Sequence, residues 1–148
     1  MSTVTLSAEK IAERQLLTAI QIWRTGDYVS AITLAGAAEE ILGKRLRRVG
    51  KEPSFDNIKS VIVEFSKKLG DQDPKTDKLV ADLLNQTKNE LKHYAGEEEL
   101  EFDLFRDSIE LIERAITNYQ MLTGTIRNEM IVFWAEVDGA KERPTPCP

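Results

Sequence analysis

The residues of this chain best suited to chemistry are Lys88-Asn89-Glu90-Leu91-Lys92-His93, which contain its only histidine. An imidazole, with an ordinary pKa near ~6.5, moves a proton at neutral pH, and a cation beside it can hold a phosphate oxygen. Asn89 and His93 are four residues apart, about 40° around a helix, so they share a face. Lys88 lies five residues before His93, roughly 140° away on ideal geometry. It reaches the same spot only by its long side chain or from a second copy of the helix. The alternative is a surface helix with ordinary polar residues.

A second group, Lys44, Arg45, Arg47, Arg48 and Lys51, places five cations and no acid in eight residues of a chain with net charge −5. It reads either as a phosphate-contacting patch, joined by Lys92, or as cations complementing the dipole at a helix C-terminus. Position separates the two. A cluster facing the cleft of His93 favours phosphate binding, and a cluster on the far side favours a plain scaffold. Glu39-Glu40 reads as solvated or paired to Lys44 and Arg45, Glu40 and Lys44 having the better i, i+4 orientation. The other option there is a partly buried carboxylate near the site. Trp23 and Trp134 read as core or interface residues rather than base-stacking platforms. The chain shows no P-loop, GxGxxG, EF-hand or ExxH pattern.

Composition narrows the choices. With 148 residues there is room for one domain, and 41% hydrophobic with 30% charged residues is a globular mixture. One Cys, Cys147, excludes a disulfide framework and a Cys-based zinc site, and one His excludes a His cluster, so no metal site and no cofactor is expected. No apolar run reaches ~18 residues, and Met1 to Lys10 lacks a basic segment followed by an apolar one, so no membrane span or signal peptide is expected. The expected location is the cytoplasm. The acidic balance, 20 Lys+Arg against 25 Asp+Glu, speaks against a general DNA-coating or membrane-surface protein.

The elements that must position these residues read as helices. Ser7 caps a segment to about Arg24 with Ala12, Leu16, Ala19, Ile20 and Trp23 on one stripe. Thr25-Gly26-Asp27 breaks it. From Tyr28 to Ala38 only Ser30 and Thr33 are polar, which predicts a central helix, about Tyr28 to Val49, with Ala35 and Gly36 at close helix contacts. A third helix, about Phe55 to Leu69 and capped by Ser54, has Phe55, Ile58, Ile62, Phe65 and Leu69 as its seam. Asp73 as cap and Pro74 at the first position start a fourth, with Leu79, Val80, Leu83, Leu84, Leu91 and Tyr94 on its apolar face. Glu97 to Glu101 is an acidic connector. A fifth helix spans about Asp103 to Thr123, with Phe105, Ser108, Ile112, Ala115, Tyr119 and Leu122 on one side. A short sixth lies in Thr125 to Val137, with Ile126, Met130, Trp134 and Val137 at helical spacing. Residues 1–137 form the domain. Asp138 to Pro148, with three of the five prolines, is expected to be a loose tail.

Three stretches together resemble the HEPN family, an all-α bundle named for higher eukaryotes and prokaryotes nucleotide-binding. Asp27 to Leu42 looks like its second helix, rich in small residues and opened by Tyr28. Lys88 to His93 looks like its signature, an Arg, commonly a polar residue next, and a His after four to six intervening positions. Ile109 to Leu122 looks like its closing helix. The resemblance covers roughly residues 7–123 and implies an up-and-down helical bundle of about five helices plus the short C-terminal one. Many members are metal-independent endoribonucleases or toxins of bacterial conflict systems. In those, Arg and His from two subunits meet at a dimer interface and promote attack of a ribose 2′-OH on the adjacent phosphate. By position His93 is the acid/base, Asn89 orients phosphate or His, and Lys88 stands where Arg belongs. Lys keeps the charge and loses the bidentate fork. Other members are non-catalytic dimerisation, nucleotide-binding or toxin-partner modules. The reading is therefore a homodimer meeting on the Gln86–Asn89–His93 face, binding nucleotide or RNA phosphate or an antitoxin-like protein partner. The alternative is a ribonuclease using His93 and Lys88.

Overall fold

The side chain of Ser7 accepts a hydrogen bond from the Lys10 N–H at 3.2 Å and starts α1 (Ala8–Arg24). Gly26, with φ of 85°, turns the chain, and the Asp27 carboxylate accepts from Ser30 N–H at 3.1 Å to open α2 (Tyr28–Arg48). α3 (Ser54–Lys68), α4 (Thr76–His93), α5 (Leu104–Thr123) and α6 (Asn128–Lys141) complete an all-helical bundle, with no strand among the described residues. This computed structural model describes residues 2–96 and 98–141, Lys141 by its backbone alone. Glu97 of the acidic connector and residues 142–148, with Cys147, lie outside the described residues. Asp138 to Lys141, expected as the start of the tail, continue α6.

The core lies where α2 is packed between α1 and α5 and α6 closes over the end. Leu16 and Ile20 of α1, Ile32 and Leu42 of α2, Ile112 and Ile116 of α5 and Phe133 of α6 are all fully or almost fully buried. The alanines of α2, Ala31, Ala35 and Ala38, are fully buried too and keep the three helices close. Removing one of the large side chains costs about 2–5 kcal/mol by lost burial plus cavity. Trp23 belongs to this core: its ring meets Phe133 edge-on at 5.0 Å between centroids. In α6 the inward residues are Met130, Phe133 and Val137; Trp134, expected on this stripe, is only half-buried, and Phe133 one position earlier takes its place.

The α3–α4 hairpin is attached differently. Each of its helices buries one apolar residue, Val63 and Val80. The expected α3 seam is not the inner face: Phe65 is 62% and Leu69 75% exposed. The expected α4 stripe also divides, because Leu79, Leu83 and Tyr94 are exposed while Val80, Leu84 and Leu91 face inward. α3 starts one residue early, with Pro53 at the cap position and no cap from its own side chain. Its first N–H, Ser54 N–H, donates at 2.8 Å to Oδ1 of Asn118, a buried residue of α5. α4 starts two residues after Pro74, because the Asp73 carboxylate folds onto Lys75 N–H at 2.9 Å and closes a turn there. Asp71 pins the hairpin turn. Its carboxylate accepts from Thr76 and Ser66 hydroxyls and from Asp73 N–H, and these bonds, the one from Thr76 foremost, hold its pKa below the ordinary value.

Candidate functional site

The first turns of α3, the second half of α2 and the last two turns of α4 enclose a cleft of about 340 Å³. Lys44 and Arg47 reach it from α2, and Lys88, Asn89, Lys92 and His93 reach it from α4. The two groups singled out in the sequence therefore share one cleft in part. The basic group divides. Arg45 points to α1 and pairs with Glu9 at 3.0 Å. Lys51 donates to the Met121 carbonyl at the end of α5, at 2.9 Å. Arg48 is exposed and does not line the cleft. On α2, positions 44 and 47 look to the cleft and position 45 looks to α1.

Lys88 and His93 line the cleft from the same chain. The 140° between them is bridged because the Lys88 stem lies across α2 over Gly36. A Cβ at position 36 would stand 2.7 Å from Lys88 Cδ and 2.9 Å from Cγ. Gly36 is thus a close contact, as expected, though its partners are a lysine stem and Leu111 of α5 rather than a helix backbone. A second copy is not needed to bring Lys88 to the cleft.

The stem delivers the Lys88 ammonium to 3.6 Å from Glu39, a carboxylate with only 6% of its side chain exposed. Arg114 of α5, 9% exposed, reaches the same carboxylate at 2.8 Å. Arg114 also donates to the Leu84 carbonyl at 3.2 Å and to Asn85 Oδ1 at 3.2 Å, and lies 4.9 Å from the centre of the Phe55 ring. One buried guanidinium therefore ties α5 to α2, α3 and α4. A buried carboxylate between two cations keeps its charge compensated, which is the condition for placing it there at all. Glu39 is the partly buried carboxylate of the expected alternatives, and its partners are not Lys44 and Arg45. Glu40 behaves as expected: it pairs with Lys44 at 3.3 Å and also with Lys92 at 3.8 Å. The hydrogen bond from Lys44, with the charges of Lys44, Lys88 and Lys92, lowers its pKa against the opposing effect of burial. Arg47 is held bidentate by Asp56, at 2.8 and 2.9 Å, which raises its pKa further.

Around the cleft stand Lys44, Arg47, Lys88, Lys92 and buried Arg114, against Glu39, Glu40 and Asp56, a surplus of two positive charges before His93 is counted. The pairs at its mouth, Lys44 and Lys92 with Glu40, are solvent-exposed and individually weak, so an arriving anion can recruit both lysines at little cost. The sequence reading missed Arg114, Phe55 and Asn85. A signal existed for the first: Leu111, Arg114 and Asn118 are spaced three and four apart, and all three are buried. Comparison of the chain with protein-family models, curated proteins and solved structures finds no match.

Proposed function

We propose that the chain is a HEPN-like cytoplasmic module that binds the phosphate of a nucleotide or RNA in this cleft without cutting it. The observation that carries the reading is the convergence of Lys44 and Arg47 of α2 with Lys92 and His93 of α4 on one concave surface. A phosphate placed there meets two flexible ammonium groups and an imidazole, and the paired Arg47 guanidinium forms the wall behind them. The absence of cleavage follows from Lys88. In the position of the signature Arg it is engaged by Glu39 and only 14% exposed. To serve a phosphate it must leave a buried carboxylate to Arg114 alone. His93 is then left with the ammonium point charges of Lys44 and Lys92, which lack the bidentate fork that grips a pentacovalent phosphate.

The dimer is part of the same proposal. Leu79, Leu83, Gln86, Glu90 and His93 are spaced four, three, four and three apart along α4, and the two leucines are 59% and 61% exposed. That is the spacing of a helix-pairing seam, and a two-fold contact along it would set two clefts side by side. One observation favours the ribonuclease as the second reading: His93, Asn89 and Lys88 line one cleft within one chain. In that reading His93 takes the 2′-OH proton as the oxygen attacks the adjacent phosphate, the P–O5′ bond breaks to leave a 2′,3′-cyclic phosphate and a 5′-oxygen that takes its proton from water, and Lys88 releases Glu39 to neutralise the developing charge.

The test incubates labelled RNA with wild type, His93→Ala and Lys88→Arg in EDTA, and measures binding and cleavage together. Binding with intact RNA in wild type, weakened by Lys44→Ala or Lys92→Ala, supports the module. Cleavage lost in His93→Ala by on the order of 10²–10⁴ establishes the enzyme instead. No binding of RNA, nucleotide or pyrophosphate overturns both. Light scattering at high protein concentration should give a dimer that Leu83→Asp dissociates, and a 16.7 kDa monomer refutes that part.

A further inference from the structure

We infer that the cleft has a base subsite on the Phe55 ring and that its ligand is a free nucleotide, the base against Phe55 and the phosphates on Lys44 and Lys92. The inference rests on the phosphate-binding reading above and adds to it the class of ligand. A cleft built for bare phosphate has no use for an aromatic wall, yet Phe55 lines this one among lysines, arginine and asparagines.

The ring is held in place from several sides. It is the second residue of α3, whose first N–H is fixed to buried Asn118, and it follows Pro53, which is fully buried. Arg114 covers it at 4.9 Å from its centre, and Arg114 does not itself line the cleft. The ring therefore stands as a partition between a buried guanidinium and the open space. A rigid, half-buried ring offers a base a stacking surface with little ordering cost.

Across from it α4 presents Asn85 and Asn89, one helical turn apart. The Asn85 carbonyl oxygen is occupied by Arg114 at 3.2 Å, so its amide N–H groups remain as donors. Asn89 is exposed and offers both a donor and an acceptor, the pair that a base edge answers. The volume of about 340 Å³, at the small end of ligand sites, matches one nucleotide, and a strand would have to run on beyond it.

Titration calorimetry of wild type, Phe55→Leu and Phe55→Trp with ADP, inorganic pyrophosphate and a five-nucleotide RNA tests this. Wild type should prefer ADP over pyrophosphate by about 5- to 150-fold, the range that one base–aromatic stack supplies. Phe55→Leu should lose that preference while pyrophosphate affinity stays within about twofold, which also reports an intact cleft. Phe55→Trp should keep the preference. An equal ADP-to-pyrophosphate ratio in wild type, or a ratio unchanged by Phe55→Leu, overturns the base subsite and leaves phosphate binding standing. RNA bound more tightly than ADP overturns the assignment to a free nucleotide. If wild type binds none of the three, the phosphate-binding reading itself fails and the inference falls with it.

Discussion

Replacing Glu39 by Ala should make the protein less stable and its cleft better at binding anions. Removing one partner of a buried ion pair costs about 3–5 kcal/mol, because the remaining charge is left uncompensated in a poorly solvated place. Here the cost should be near the lower limit. Arg114 keeps the Leu84 carbonyl, the Asn85 carbonyl and the Phe55 ring, and Lys88, already 14% exposed, can extend to water. For a chain of this length about 1 kcal/mol moves the melting temperature by about 2–4 °C, so a loss of about 3 kcal/mol lowers it by about 6–12 °C. Glu39→Gln keeps an acceptor for Arg114 and should cost less, about 1–2 kcal/mol. The released Lys88 is then available to a phosphate. A unit charge at about 4 Å is worth about 1 kcal/mol even in bulk water, so the pyrophosphate Kd at low salt should fall by about fivefold or more. Adding Lys88→Ala should abolish that gain. The assay is a thermal melt beside a pyrophosphate titration on the same samples. A melting shift below about 2 °C would refute the buried pairing. Weaker pyrophosphate binding in Glu39→Ala would refute the view that Glu39 withholds Lys88 from the cleft.

Asn118→Leu leaves the Ser54 N–H without its acceptor and should cost about 1–3 kcal/mol, with faster hydrogen exchange at the start of α3; unchanged exchange there would show that the cap is dispensable. Gly36→Leu must displace the Lys88 stem and press on Leu111, at a cost of about 1–3 kcal/mol, and a melt equal to wild type would mean that the stem does not hold its place over α2. The Glu13 carboxyl is held below its ordinary value of 4.5, first by the hydrogen bond from Tyr119 and then by Lys10. A lowered native pKa means that stability from this carboxylate is complete above pH 4.5 and is lost as the pH falls through the native value, so Tyr119→Phe should flatten part of the acid limb of the stability profile; an unaltered limb would show that the bond does not couple to folding.

Periodicity in the sequence was sufficient for the all-α bundle and for α1, α2 and α5. Each of those helices buries a broad face against two neighbours, so its apolar residues must repeat at helical spacing. Gly26 and the Ser7, Asp27 and Asp103 caps set their ends locally, within three residues of chain. Periodicity was misleading for α3 and α4, because it identifies an apolar stripe and not the element that covers it. Phe65, Leu69, Leu79 and Leu83 continue helical stripes and still face outward. The site divided along the same line. Lys88, Asn89, Lys92 and His93 were legible as a group because they are neighbours on one helix. That Lys44 and Arg47 join them while Arg45, Arg48 and Lys51 do not is decided by the rotation of α2 against α1 and α4. The pairing of Glu39 with Arg114 joins residues 75 positions apart, and the burial of either charge is tolerable only because the other is there. No spacing rule in one dimension contains that compensation. It arises when α5 packs on α2, and the same packing gives Phe55 its cationic backing and leads Lys88 across Gly36 to the cleft of His93.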